Sequence, residues 1–195
     1  MGARIVYLHG FNSSPQSFKA RLVADAMAAS GNAADYACPA LPPQPAAAIA
    51  LATAAIEQLG ATALIGSSLG GYYATHLAER FGLTAVLVNP AVRPYELLAD
   101  HLGPQQNFHT GDAYELTQAD VDALRTLDVA TLTRPERYFL LATTGDEVLD
   151  YRQAVARYRG SPQLVIEGGD HAFRDFGAHL PAVFGFCGLA PSPQL

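Results

Sequence analysis

Six short runs of almost uninterrupted apolar residues recur along this chain, with helix-like patterns between them. They fall at 5–8, 36–38, 63–66, 85–88, 138–142 and 163–166. A strand with one wet face alternates apolar and polar residues, so a continuous run means burial on both faces. Joining parallel neighbours takes a crossover of a dozen or more residues. The spacers supply it, with apolar residues at helical spacing over 17–29, 46–59, 69–81, 151–158 and 177–186. The pattern predicts an α/β fold: about six mainly parallel strands with helices on both faces. Pro39, Pro42, Pro43 and Pro45 force an extended loop before the second helix.

The rhythm breaks once. From 91 to 137 the chain is more polar and shows no strand-like run. Short helices are expected at 95–102 and 118–127, with a loop at 103–111 between them. No linker is visible, so 91–137 reads as an insertion within a single domain spanning 1–195. It would either cover a site as a small lid or complete the core. The tail 190–195 is expected to fray.

Composition narrows the class. The chain has 195 residues, half of them hydrophobic and 15% charged, which argues against disorder. Its 12 basic and 18 acidic side chains give a net charge of −6, which argues against a nucleic-acid partner. Two cysteines, Cys38 and Cys187, cannot build a disulfide framework, and a reduced, cytoplasmic state is the simpler expectation. The first apolar run is too short for a signal-peptide core, and Val6 breaks the myristoylation pattern. No apolar stretch reaches the roughly 18 residues of a membrane helix.

Gly66-Ser67-Ser68-Leu69-Gly70 matches G-x-S-x-G, placed after a predicted strand and before a predicted helix. The glycines permit a tight turn that lifts the Ser68 hydroxyl from the sheet edge, beside helix N-terminal amides. An unremarkable glycine turn is the plain alternative. Ser67 sits at the wrong position and reads as a buried or turn serine. A serine nucleophile needs a base held by a third group. Of the six histidines, His171 follows the last strand in a glycine-rich turn, where this architecture places its chemistry. His76 and His179 fall inside helices; His101 and His109 lie in the insertion.

The acid should follow the fifth strand, where Asp146, Glu147 and Asp150 stand. Asp146 is nearest the strand end. Asp150 is its main rival but suits the N-cap of the next helix, and Glu147 reads as solvated. Asp170 adjoins His171 too closely to reach its ring well. After the first strand, His9-Gly10-Phe11 would bring one oxyanion amide to the site, that of Phe11, with Leu69 supplying the other. His9 reads mainly as a loop-ordering hydrogen bonder. Arg93 could meet an anionic substrate group, although a structural ion pair is the blander reading. His9, Gly10 and Arg93 are therefore the candidate substrate-binding residues. Nothing calls for a metal or cofactor.

The stretches Tyr7–Pro15, Gly66–Thr75, Val88–Pro94, Thr144–Ala154 and Glu167–Phe173 together resemble the YqiA-type esterases, small bacterial α/β-hydrolases. The likeness runs from about residue 5 to residue 189. It implies a compact α/β-hydrolase fold and esterase activity on short acyl esters, with acyl-CoA thioesters as a further class. It matches Ser68, Asp146 and His171 to the family's triad. Asp170 stands where that family can show Asn. Two rivals stay open: a binding protein on a degenerate site, and a C–C hydrolase or perhydrolase on the same residues. The small insertion implies a shallow site for short or flexible acyl groups.

Overall fold

The structure, a computed structural model, describes residues 2–189. Its centre is a six-stranded sheet in which every pairing is parallel: β1 (Ile5–Leu8), β2 (Tyr36–Ala37), β3 (Ala63–Ser67), β4 (Thr84–Val88), β7 (Tyr138–Thr143) and β8 (Gln163–Ile166). The order is β2-β1-β3-β4-β7-β8. The chain first runs outward from β1 to β2, then returns to place β3 on the other side of β1. That reversal opens a crevice beyond the carboxyl ends of β1 and β3, where ligands sit in open parallel sheets.

The strands explain why their apolar runs are continuous. Val6, Leu8, Leu64, Leu87 and Leu140 point into one core, and Ile5, Tyr7, Ile65, Val86, Val88 and Leu141 into the other. The first core is shared with α2 (Pro45–Leu59), α3 (Leu69–Phe81) and α6 (Tyr151–Arg157); the second with α1 (Phe18–Ala29) and α7 (Phe176–Cys187). Pro45 starts α2, where a missing N–H costs nothing, and left-handed Gly60 ends it. The expected boundaries hold to within a few residues.

One expectation is corrected. The stretch 91–137 does contain strands: β5 (Gly103–Gln106) and β6 (Ala113–Leu116) form an antiparallel hairpin across most of the expected loop. Every second residue of its strands is exposed and only Leu116 is buried, so it carries no apolar run for a sequence pattern to detect. Asn107 shapes the turn, its side-chain oxygen accepting from the amides of His109 and Thr110. The helix expected at 95–102 is α4 (Pro94–Ala99) and stops early. The insertion also completes the core, since Leu98, Leu116, Val121, Leu124 and Leu132 are buried with α2 and α3. α5 (Gln118–Thr126) carries a Thr117–Asp120 capping box. The tail 190–195 lies outside the described residues.

Candidate active site

Ser68 ends the turn between β3 and α3 with φ 54° and ψ −122°. A non-glycine residue held at positive φ costs about 1–3 kcal/mol and persists only where its surroundings over-determine it. Here they do. A Cβ on Gly66 would strike the Gly70 carbonyl, and one on Gly70 would strike the Leu8 carbonyl. One on Gly71 would lie 2.7 Å from Pro90 Cβ. The turn is therefore pressed against β1 and against the end of β4. Two backbone bonds fasten it further: the Ser68 amide donates to the Val88 carbonyl (3.1 Å), and the Ala91 amide donates to the Ser68 carbonyl (3.1 Å).

The three residues expected to work together are brought together. His171 Nε2 lies 3.1 Å from Ser68 Oγ, and His171 Nδ1 lies 2.8 Å from Asp146 Oδ2. An ionised carboxylate only accepts, so Nδ1 carries the proton and Nε2 is left to accept from the serine hydroxyl. The Asp146 side chain is 2% exposed and that of His171 22%. Burial alone would raise the Asp146 carboxyl. The His171 hydrogen bond and the amides of Leu149 and Val148, both 2.8 Å from Asp146 Oδ1, outweigh it and hold the carboxyl below its usual range. Asp150 accepts from the Arg152 amide as the N-cap of α6. Glu147 is exposed yet not idle, because its carboxylate accepts the His171 backbone N–H at 2.9 Å.

Several residues that the sequence did not single out hold the histidine loop. Asn89 follows β4, is buried, and sits at φ 41°. Its Nδ2 donates to Thr143 Oγ1 (3.1 Å) and to the carbonyls of Asp170 (3.2 Å) and His171 (3.3 Å). Its Oδ1 accepts the Thr143 amide at 2.9 Å. Lys19, on α1, donates to the Ala172 carbonyl at 2.7 Å. Burial brings that ammonium down to about 8, against the opposing pull of Asp170 and Asp146. In sequence neither Asn89 nor Lys19 stands in a local motif that marks this role. Their roles depend on contacts 81 and 153 positions away.

Gly10 packs directly behind Ser68, where a Cβ would lie 3.2 Å from Ser68 Cβ and 3.7 Å from Oγ. Among the described residues neither the Phe11 nor the Leu69 amide donates to a protein acceptor. Both residues border a cleft of about 380 Å³ that runs between the 9–14 loop, the 40–43 loop and the β5–β6 hairpin. Leu41, Pro42, Pro43, Leu69, Tyr73 and Tyr114 make its apolar lining. His9 touches this cleft but has both nitrogens engaged. Its Nε2 accepts the Leu41 amide (3.0 Å), so Nδ1–H faces the Gly10 carbonyl (3.1 Å). Burial lowers its pKa, in keeping with a neutral ring. Arg93 stands elsewhere. It pairs with Glu96 at 3.1 Å, both side chains half exposed, in a groove of about 220 Å³ beside Val148 and Leu149.

His76 bonds the Leu127 carbonyl, His101 the Leu97 carbonyl, and His179 packs edge-on to Phe173. Among the described residues no cluster of His, Cys, Asp and Glu is arranged for a metal, and no helix is long and apolar enough to cross a membrane.

A parallel sheet in this order, with a strained serine turn after β3 and the acid and histidine after β7 and β8, defines an α/β-hydrolase fold. The chain belongs to UPF0227, described as an uncharacterised protein family, which matches residues 4–188; this is the YqiA-like family. Solved structures agree on the fold. The mouse alpha/beta hydrolase domain-containing protein 10 superposes with a TM-score of 0.69 at 15% identity, covering 93% of this chain and 89% of that one. The esterase domain of a Rhodothermus marinus protein gives 0.64 at 18%, covering 94% and 85%. A Paleococcus ferrophilus monoacylglycerol lipase gives 0.63 at 15%, covering 96% of each.

Proposed function

We propose that this protein is a metal-free serine hydrolase that cleaves short acyl esters through an acyl-enzyme. The observation that carries this reading is the unbroken Ser68–His171–Asp146 hydrogen-bond chain at the strained turn. Ser68 Oγ attacks the ester carbonyl carbon while His171 Nε2 takes its proton. The imidazolium that forms is stabilised by Asp146, which stays ionised. The carbonyl oxygen, now negative, is held by the Phe11 amide of the loop after β1 and the Leu69 amide at the N-terminus of α3. The tetrahedral intermediate collapses, the bond to the leaving oxygen breaks, and His171 returns the proton to that oxygen. Water repeats the sequence to free the acid and restore Ser68.

The names borne by the structural neighbours, esterase and monoacylglycerol lipase, favour ester substrates over C–C bonds. Acyl-CoA thioesters present the same carbonyl and form the second substrate class. A cytoplasmic location accords with two unpaired cysteines. The test is turnover of p-nitrophenyl butyrate by the wild type and by Ser68→Ala. Loss of turnover in a folded variant supports the reading; undiminished turnover refutes it, and a wild type with no turnover favours the binding-protein alternative.

A further inference from the structure

The loop that carries the Phe11 amide does not stand alone. Asn12, the next residue, is buried and held at φ 51°. Left-handed backbone is open to Asn but costly for most side chains. Its side chain is gripped by the hairpin. Tyr114 Oη donates to Asn12 Oδ1 at 2.7 Å, and Asn12 Nδ2 donates to Gln105 Oε1 at 3.4 Å. Gln105 and Tyr114 are register partners across β5 and β6, so one rung of the hairpin holds both ends of one amide. Two more bonds tie the same segments: the Phe108 amide to the Asn12 carbonyl (3.1 Å) and Asn107 Nδ2 to the Ser13 carbonyl (2.9 Å). The Phe11 and Tyr114 rings meet edge to face, centroids 6.4 Å apart.

We propose that Asn12 and Tyr114 are positioning residues: through them the β5–β6 hairpin sets the Phe11 N–H that binds the developing oxyanion. This rests on the serine-hydrolase reading and deepens it. Gly10 and His9 anchor the base of that loop, but β1 ends at Leu8, and among the described residues Phe11 and Asn12 pair with no strand of the six-stranded sheet. The hairpin supplies the missing constraint. It also lines the cleft with Tyr114, so one element shapes the binding space and aims a donor into it. Substrate in its ground state needs the cleft. The tetrahedral oxyanion needs the donor, and a donor misplaced by about 1 Å can cost 10²-fold. The contribution should therefore fall on kcat more than on KM.

The experiment compares wild type, Tyr114→Phe, Asn12→Gly and the double variant on p-nitrophenyl butyrate. Inhibition by butylboronic acid, whose serine adduct is tetrahedral, is measured alongside. Glycine keeps φ 51° accessible, so Asn12→Gly removes the side chain without adding backbone strain. Each single variant is expected to lower kcat by about 10- to 100-fold with KM within about twofold. The boronate inhibition constant should rise in parallel. The double variant should lose little more than the worse single one, because the two residues act as one latch. Tyr114→Phe keeps the ring and guards against an Asn12 variant that fails to fold. Singles with unchanged kcat, a raised KM alone, or additive losses overturn the proposal. A wild type with no Ser68-dependent turnover refutes the hydrolase reading itself, and the latch with it.

Discussion

Asn89→Ala should both loosen the fold and slow the chemistry. The side chain is 4% exposed and engages the Thr143 amide, Thr143 Oγ1 and two successive carbonyls of the histidine loop. A hydrogen bond is worth about 0.5–1.5 kcal/mol net, and a buried partner left unsatisfied costs about 1–3 kcal/mol. Alanine at φ 41° adds about 1 kcal/mol of backbone strain. With some relaxation the total is about 3 kcal/mol, a large part of a typical stability of about 5–15 kcal/mol. For a chain of this size that is a fall of roughly 6–12 °C in Tm. Differential scanning calorimetry reads it directly. Asn89→Gly should recover only the strain, so its Tm should lie between alanine and wild type. At temperatures where each variant is folded, kcat should drop, because the His171 carbonyl loses its anchor. A Tm for Asn89→Ala within about 2 °C of wild type would refute the reasoning.

Three further outcomes follow from the geometry. Asp146→Asn should lower kcat by about 10⁴-fold, since an amide favours the wrong His171 tautomer, whereas Asp150→Asn should leave kcat within about twofold; the reverse order would reassign the acid. Gly10→Ala must push Ser68 and the Ser67 carbonyl, 3.2 and 3.4 Å from the new Cβ, and should cut kcat by about tenfold or more without unfolding the protein; wild-type kinetics would contradict the packing. His9 and His76 are both held below the ordinary imidazole pKa by burial, so between the folded and unfolded values the unfolded chain binds more protons. Stability should therefore fall as pH drops from about 7.5 to about 5.5, and a Tm that holds or rises would exclude this.

The parts of this protein that could be read in its sequence are those governed by local rules. Burial on both faces writes itself as continuous apolar runs, and the strained serine turn as glycines that nothing larger can replace. The order of Ser68, Asp146 and His171 follows from strand ends. The hairpin cannot be read from the sequence because exposure alternates along Gly103–Gln106 and Ala113–Leu116 without an apolar run, and its turn is shaped by the Asn107 side chain. Asn89, Lys19 and the Asn12–Tyr114 contact were invisible for another reason. Each is an ordinary polar residue whose role exists only once distant segments meet. Arg93 shows the converse: of its two sequence readings the structural one fits, since it stands at the N-cap of α4 with its guanidinium on Glu96.

The central claim is that Ser68 is a nucleophile activated by His171. Intact-mass analysis after reaction with a fluorophosphonate probe tests it most directly. One adduct per chain is expected, mapped by peptide sequencing to Ser68, and strongly slowed in His171→Ala. An unreacted wild type, or an adduct on any other residue, would contradict it.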